Sequence, residues 1–150
     1  MEFRARSLWY HMSQLFVGLT IFFVTANIVS AEDMRKILEH DKYLKRGKAL
    51  ASRNMFKEAL VDFNKAVAAV PTPGAYTEKC LAHYFLKDYG NALKACNKAI
   101  SLDENYDRAY AARGHVYGVT GKMKEAKNDF QKGCQLGSSL ACEKMKNFQH

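Results

Sequence analysis

The residues best equipped for chemistry in this 150-residue chain are its four cysteines, Cys80, Cys96, Cys134 and Cys142, with His83 one helical turn from the first. Cys80-x-x-His83 would set a thiolate and an imidazole on one helix face. With Cys96 nearby, that makes three converging candidate ligands. A zinc site usually takes four, commonly from paired C-x-x-C motifs, which are missing here, so no metal and no cofactor is expected. No cysteine pair is followed by His in the spacing of a c-type haem attachment. Disulfide formation is the other chemistry open to an even number of cysteines, provided the compartment is oxidising. Cys134 falls near the end of one helical stretch and Cys142 in the first turn of the next, across Gly137-Ser138-Ser139. Cys80 and Cys96 belong to facing helical stretches and are either bridged, which requires Cα atoms within about 7 Å, or two small apolar core residues.

Catalytic constellations are missing. The sequence contains no G-x-S-x-G, no H-E-x-x-H, no phosphate-binding glycine loop and no strand-to-helix glycine turn. His40 and Asp41 are neighbours on a helix and diverge by about 100° around its axis, so they read as a surface pair. The chain is not expected to be an enzyme.

The elements that position these residues show themselves through a repeated spacing. Tyr43, Gly47, Ala59, Phe63 and Ala66 are followed by Tyr76, Cys80, Ala92, Cys96 and Ala99, and then by Tyr110, Gly114, Ala126, Phe130 and Gly133. The sets lie thirty-three and thirty-four residues apart, the sequence signature of stacked repeats. Between Asp33 and Phe148 apolar residues recur every three or four positions, with breaks at Arg53-Asn54, Pro71-Thr72-Pro73-Gly74, Lys87-Asp88, Asp103-Glu104-Asn105, Gly121-Lys122 and Gly137-Ser138. This pattern predicts three helix pairs and a final helix. The small residues Gly47 and Ala59, and likewise Gly114 and Ala126, are expected to face each other and let the helices of a pair approach, with Phe63 and Phe130 filling the wider part of each groove.

The N-terminus reads differently. Arg4, Arg6 and His11 precede an uncharged run from Leu15 to Ala31, and Val29-Ser30-Ala31 fits a signal-peptidase site. A signal peptide over residues 1–31, cut after Ala31, is expected, which makes the protein exported, periplasmic or secreted. The alternative is a membrane anchor over residues 15–31, the only expected membrane contact. The whole chain carries +8, and +7 without the leader. Such charge suits acidic partners. Export and the dispersal of the basic residues, densest at Lys42, Lys45, Arg46, Lys48 and Arg53, argue against nucleic acid.

The repeated positions resemble the tetratricopeptide repeat, in which an aromatic, a small residue, Ala, an aromatic, Ala and Pro recur at fixed places. The resemblance covers about residues 40–140 and implies an all-α fold, a right-handed superhelical stack of three helix pairs with a C-terminal capping helix. Repeats are expected over 40–72, 73–106 and 107–140, after an N-terminal helix extension at 32–39. The cap would occupy 138–150, with Leu140, Ala141 and Met145 on its covered side. Pro71 stands at the terminal-proline position, where the later repeats carry Glu104 and Ser138. Arg46, Lys79 and Arg113 replace a frequent Leu. The segment GCQLGSSLAC also resembles cysteine-rich helical-repeat proteins, which implies a Cys134–Cys142 disulfide.

In the tetratricopeptide family the first helices of successive repeats line a concave groove that binds an extended peptide or a partner helix. By this resemblance the partner-binding residues are Leu44, Lys45 and Lys48 in repeat one, Leu81, Tyr84 and Phe85 in repeat two, and Arg108 and His115 in repeat three. Leu81, Tyr84 and Phe85 would anchor a protein segment, and Lys48 and Arg108 would pair with its acidic groups. Tyr84 and Phe85 have an alternative role as packing under the array. Chaperone-associated members hold a C-terminal carboxylate with a Lys-Asn-Asn-Lys-Arg clamp. Only Arg108 fits it, with Leu44, Lys48, Glu78 and Ala112 at the other positions, which speaks against a cytosolic chaperone co-factor. The expected function is therefore an exported scaffold or adaptor. The alternatives are a self-associating envelope-assembly component and a basic module that binds an anionic envelope polymer.

Overall fold

The computed structural model of the chain describes residues 30–146 and Phe148. They form seven helices and, among the described residues, no strand: α1 (Ala31–Ala51), α2 (Phe56–Ala69), α3 (Pro73–Phe85), α4 (Tyr89–Leu102), α5 (Asp107–Val119), α6 (Met123–Gln135) and α7 (Ser139–Lys146). The chain divides between Met34 and Arg35, and the packing described below is that of the described residues from Arg35 on. Apart from Ser30 and Ala31, the expected leader and the alternative anchor lie outside the described residues. Among the described residues no helix is long and apolar enough to cross a membrane.

Local chemistry starts and stops these helices where the breaks were read. Thr72 caps α3 by accepting from the Ala75 amide at 3.2 Å, and Pro73 follows at the first helical position, where a missing N–H is harmless. Asp88 caps α4 through the Asn91 amide at 3.2 Å. This bond and a second, from the Asn91 side chain, hold the Asp88 carboxyl below the ordinary carboxylate range. The turn inside each pair contains one residue with positive φ: Asn54 at 60°, Lys87 at 61° and Gly121 at 77°. The left-handed conformation therefore recurs with the period of the repeat, although only the third pair uses glycine for it.

The three pairs close in two different ways. In the first, Gly47 is buried and the Phe63 ring fills its side-chain space, so that an added Cβ would lie 2.6 Å from a ring carbon. In the third, Gly114 meets Phe130 in the same way at 2.9 Å. Ala59 and Ala126 are fully buried, and the aromatic ring supplies the heavy atoms nearest to each glycine's missing Cβ, so Phe63 and Phe130 do more than fill the wider part of the groove. In the second pair Cys80 and Cys96 hold the equivalent positions and are disulfide-bonded, with Cα atoms 5.3 Å apart.

A polar tie accompanies the glycine pairs. Asp62 is almost wholly buried and accepts two hydrogen bonds from the Arg46 guanidinium, which hold its carboxyl below the ordinary range. Arg113 donates to both oxygens of Asp129 at 2.7 and 2.8 Å, across the same sixteen-residue spacing. Such forked, charge-assisted pairs are the strong hydrogen bonds of a protein interior. Lys79 and Ala95 stand at the corresponding places in the second pair. That pair has the covalent bond where its neighbours have an ion pair and a ring in a glycine gap.

The reading of His40 is corrected. It is 7% exposed, and its Nδ1 donates to the Ala66 carbonyl at 3.0 Å while Nε2 lies 3.4 Å from the Thr72 hydroxyl. It ties α1 to the end of α2 instead of forming a surface pair with exposed Asp41. At the other end, Ala141 of α7 is fully buried against Gly133, and Met145 and Phe148 pack on the same cluster. Leu140 turns away and is 46% exposed. Cys142 is joined to Cys134 across the turn, with Cα atoms 4.5 Å apart.

Candidate functional site

The first helices stand side by side, with α3 against α5 and α5 against α7. Their shared face carries a cavity of about 330 Å³, lined by Thr77 and Leu81 of α3, by Asp107, Arg108, Ala111, Ala112 and His115 of α5, and by Gly137 to Leu140 at the start of α7. The floor is apolar because small residues allow α5 to approach α3: Ala111 and Ala112 are nearly fully buried. Thr77 is buried as well, its hydroxyl satisfied by the Pro73 carbonyl at 2.9 Å. A second cavity of similar volume adjoins the first at His115 and runs between Gly118, Val119, Met123, Lys144 and Phe148.

His115 stands between the two. Its ring meets Phe130 edge-on at 5.2 Å and lies 6.4 Å from the Tyr84 ring. Burial and, secondarily, the charge of Lys144 lower its pKa from the ordinary value, so the neutral imidazole is favoured here.

Of the residues expected to bind a partner, Leu81, Arg108 and His115 converge on the first cavity. Leu44 is partly buried against the cluster of Ala59, Phe63 and Ala82. Tyr84 packs against the cluster containing Cys80, Cys96 and Val116, as its alternative role supposed. Phe85 is 55% exposed, with one face stacked on Phe56 at 4.5 Å. Lys45 is exposed. Lys48 and Arg108 both reach Glu78: Lys48 Nζ lies 3.4 Å and Arg108 Nη2 lies 3.2 Å from the same oxygen, Oε1.

Three contributions were missed in the sequence. Leu140 was assigned to the covered side of the cap, yet it closes one wall of the cavity together with Ser138 and Ser139. About 100° of helical phase separates Leu140 from buried Ala141, and eight residues of α7 hold too few apolar positions to fix that phase. Asp107 also belongs to the lining. Glu78 was noted only as a departure from the clamp, and its tie to both cations could not be read from spacing.

Known proteins share this architecture. The family model of the tetratricopeptide repeat matches residues 73–106 and 107–136. Residues 73–136 carry tetratricopeptide repeats. It is 30% identical over 124 residues to the small glutamine-rich tetratricopeptide repeat-containing protein 2 of Saccharomyces cerevisiae, a match covering 82% of this chain and 36% of that protein. It is 32% identical over 97 residues to human RNA polymerase II-associated protein 3, covering 64% of this chain and 14% of that one. The chain thus spans little more than a third of the yeast relative and a seventh of the human one. Among solved structures, the second tetratricopeptide-repeat domain of Spaghetti (RPAP3), bound to HSP90 peptide SRMEEVD, superposes with a TM-score of 0.67 at 26% identity, covering 71% of this chain and 93% of that one.

These tetratricopeptide-repeat relatives overturn the expected localisation. Proteins named for association with RNA polymerase II, and heat shock protein STI1 of yeast, point to an intracellular protein and not to a periplasmic or secreted one. The export reading rests on composition alone, a short uncharged run behind two arginines, and composition does not fix where a protein works. The envelope setting of the two alternative roles falls with it.

Proposed function

We infer that this chain is a non-enzymatic protein-interaction adaptor whose three tetratricopeptide repeats, over 40–72, 73–106 and 107–140, hold a peptide segment along the face shared by α1, α3 and α5. The observation that carries this reading is the cavity in which Leu81, Arg108 and His115 converge, on a scaffold similar to a domain solved with a bound peptide. Leu81 supplies an apolar wall, and exposed Phe85 offers a further aromatic surface beside it. The cap over 138–150 does more than cover the last repeat, since Leu140 completes the cavity.

Selection of peptides from a displayed random heptapeptide library against the full chain tests the reading. Binders that lose at least about tenfold in affinity on Leu81→Glu, a change that buries a charge against an apolar ligand, support it. Binders indifferent to Leu81→Glu place the site elsewhere.

A further inference from the structure

Two cations of this face, Lys48 and Arg108, are already engaged. Glu78, on α3, is 14% exposed, and its Oε1 lies between Lys48 of α1 and Arg108 of α5, which are 47% and 52% exposed. Three successive first helices thus each contribute one member to a single charge cluster. Of these three, Arg108 also lines the cavity, where Asp107, a second carboxylate, stands beside it. Within this set of four the two cations and two carboxylates balance, and His115 adds no charge in its favoured neutral form.

We propose that Glu78 acts as a built-in counter-anion that fills the carboxylate position of the groove, so that this site selects a peptide segment that is apolar and uncharged where it meets Lys48, Glu78 and Arg108, and rejects acidic segments. The proposal rests on the peptide-groove reading above and specifies the ligand class. A ligand carboxylate must either displace Glu78 from both cations or lie within a few ångströms of it. Either way it loses the charge-assisted hydrogen bonds that such a pair of cations would otherwise offer. The remaining lining supplied by Leu81, Ala111, Ala112 and Leu140 favours burial of an aliphatic or aromatic side chain instead.

The test compares two fluorescein-labelled peptides by anisotropy: SRMEEVD with a free C-terminus, and SRMQQVN with an amidated one. Each is titrated into the wild-type chain, Glu78→Gln and Glu78→Ala, with thermal melting to verify the fold of each variant. The wild type is expected to bind SRMEEVD no more tightly than its counterpart without acidic groups. Both Glu78 variants should gain about tenfold or more for SRMEEVD alone, the worth of a charge-assisted hydrogen bond. That gain should vanish when Lys48→Gln and Arg108→Gln are added, and shrink as salt is raised. A wild type that already prefers SRMEEVD, or Glu78 variants that gain nothing for it, would overturn the proposal. The two readings fail separately. Library-selected peptides that depend on Leu81 while the Glu78 variants gain nothing remove only the counter-anion. A gain in those variants alongside peptides indifferent to Leu81 removes only the groove assignment.

Discussion

Cys96 is bonded to Cys80 at the place in the second helix pair where the first pair seats Phe63 against Gly47 and the third seats Phe130 against Gly114. The second pair also carries Ala95 where its neighbours have Asp62 and Asp129, so it has no counterpart of their buried ion pair with arginine. Its closure leans on the covalent bond more than theirs leans on any single contact.

Reduction should therefore act first on the middle of the array. A bridge closing a sixteen-residue separation contributes about 3 kcal/mol in the chain-entropy model. Loss of about that much in a urea titration is expected for Cys80→Ala with Cys96→Ala. Cys134→Ala with Cys142→Ala removes a bridge over only an eight-residue separation at the end of the stack and should destabilise less. Both differences are read on the oxidised chain and should vanish in reductant, the condition of an intracellular setting.

Glycine substitutions should divide by what occupies the space. Gly114→Ala drives a Cβ into the Phe130 ring and is expected to cost about 1–3 kcal/mol. Gly118→Ala, on the same helix with nothing within 4 Å, should instead stabilise by about 0.5–1 kcal/mol. Chemical denaturation of the two variants beside the wild type checks both signs.

Lys87→Gly should stabilise by about 0.5–1 kcal/mol, because Lys87 holds a left-handed conformation at φ 61° that glycine adopts without a Cβ penalty, less glycine's larger loss of backbone entropy. Thermal melting reads the change. A fall in stability would mean that the side chain makes a contribution its backbone conformation does not disclose.

The pH response should come in two windows. The folded state favours neutral His115, so the unfolded chain binds the proton more readily, and this contribution is complete above about 6.5 and declines as pH falls through that value. His115→Gln should flatten the stability profile between about pH 7 and 5. Asp62 is favoured as the carboxylate by Arg46, so its contribution is present above the ordinary carboxylate range near 4 and is lost only as pH drops further, through its lowered folded value. Asp62→Asn should remove that acid-limb loss and lower stability at neutral pH.

Much of this fold was legible because Tyr43, Gly47, Ala59 and Phe63 recur at one spacing and Asn54, Lys87 and Gly121 fall where the pairs turn. The contact each glycine makes was not, since spacing places residues on a face but does not choose between Ala59 and Phe63 as the partner that reaches Gly47. His40 read as a surface residue because the Ala66 carbonyl that accepts from it lies twenty-six residues away. Leu81, Arg108 and His115, which line one cavity, were named through the resemblance to the groove positions of the tetratricopeptide repeat, whereas Leu140 and the Glu78 bridge depend on how three helices meet in space.

The central claim is that the face of α1, α3 and α5 holds a peptide. Amide and methyl chemical-shift mapping of the isotopically labelled chain, titrated with a peptide selected from the displayed library, tests it most directly. Shifts clustered on Leu44, Leu81, Phe85, Arg108, His115 and Leu140 are expected. Shifts confined to the outer helices α2, α4 and α6, or no saturable shifts at all, would contradict it.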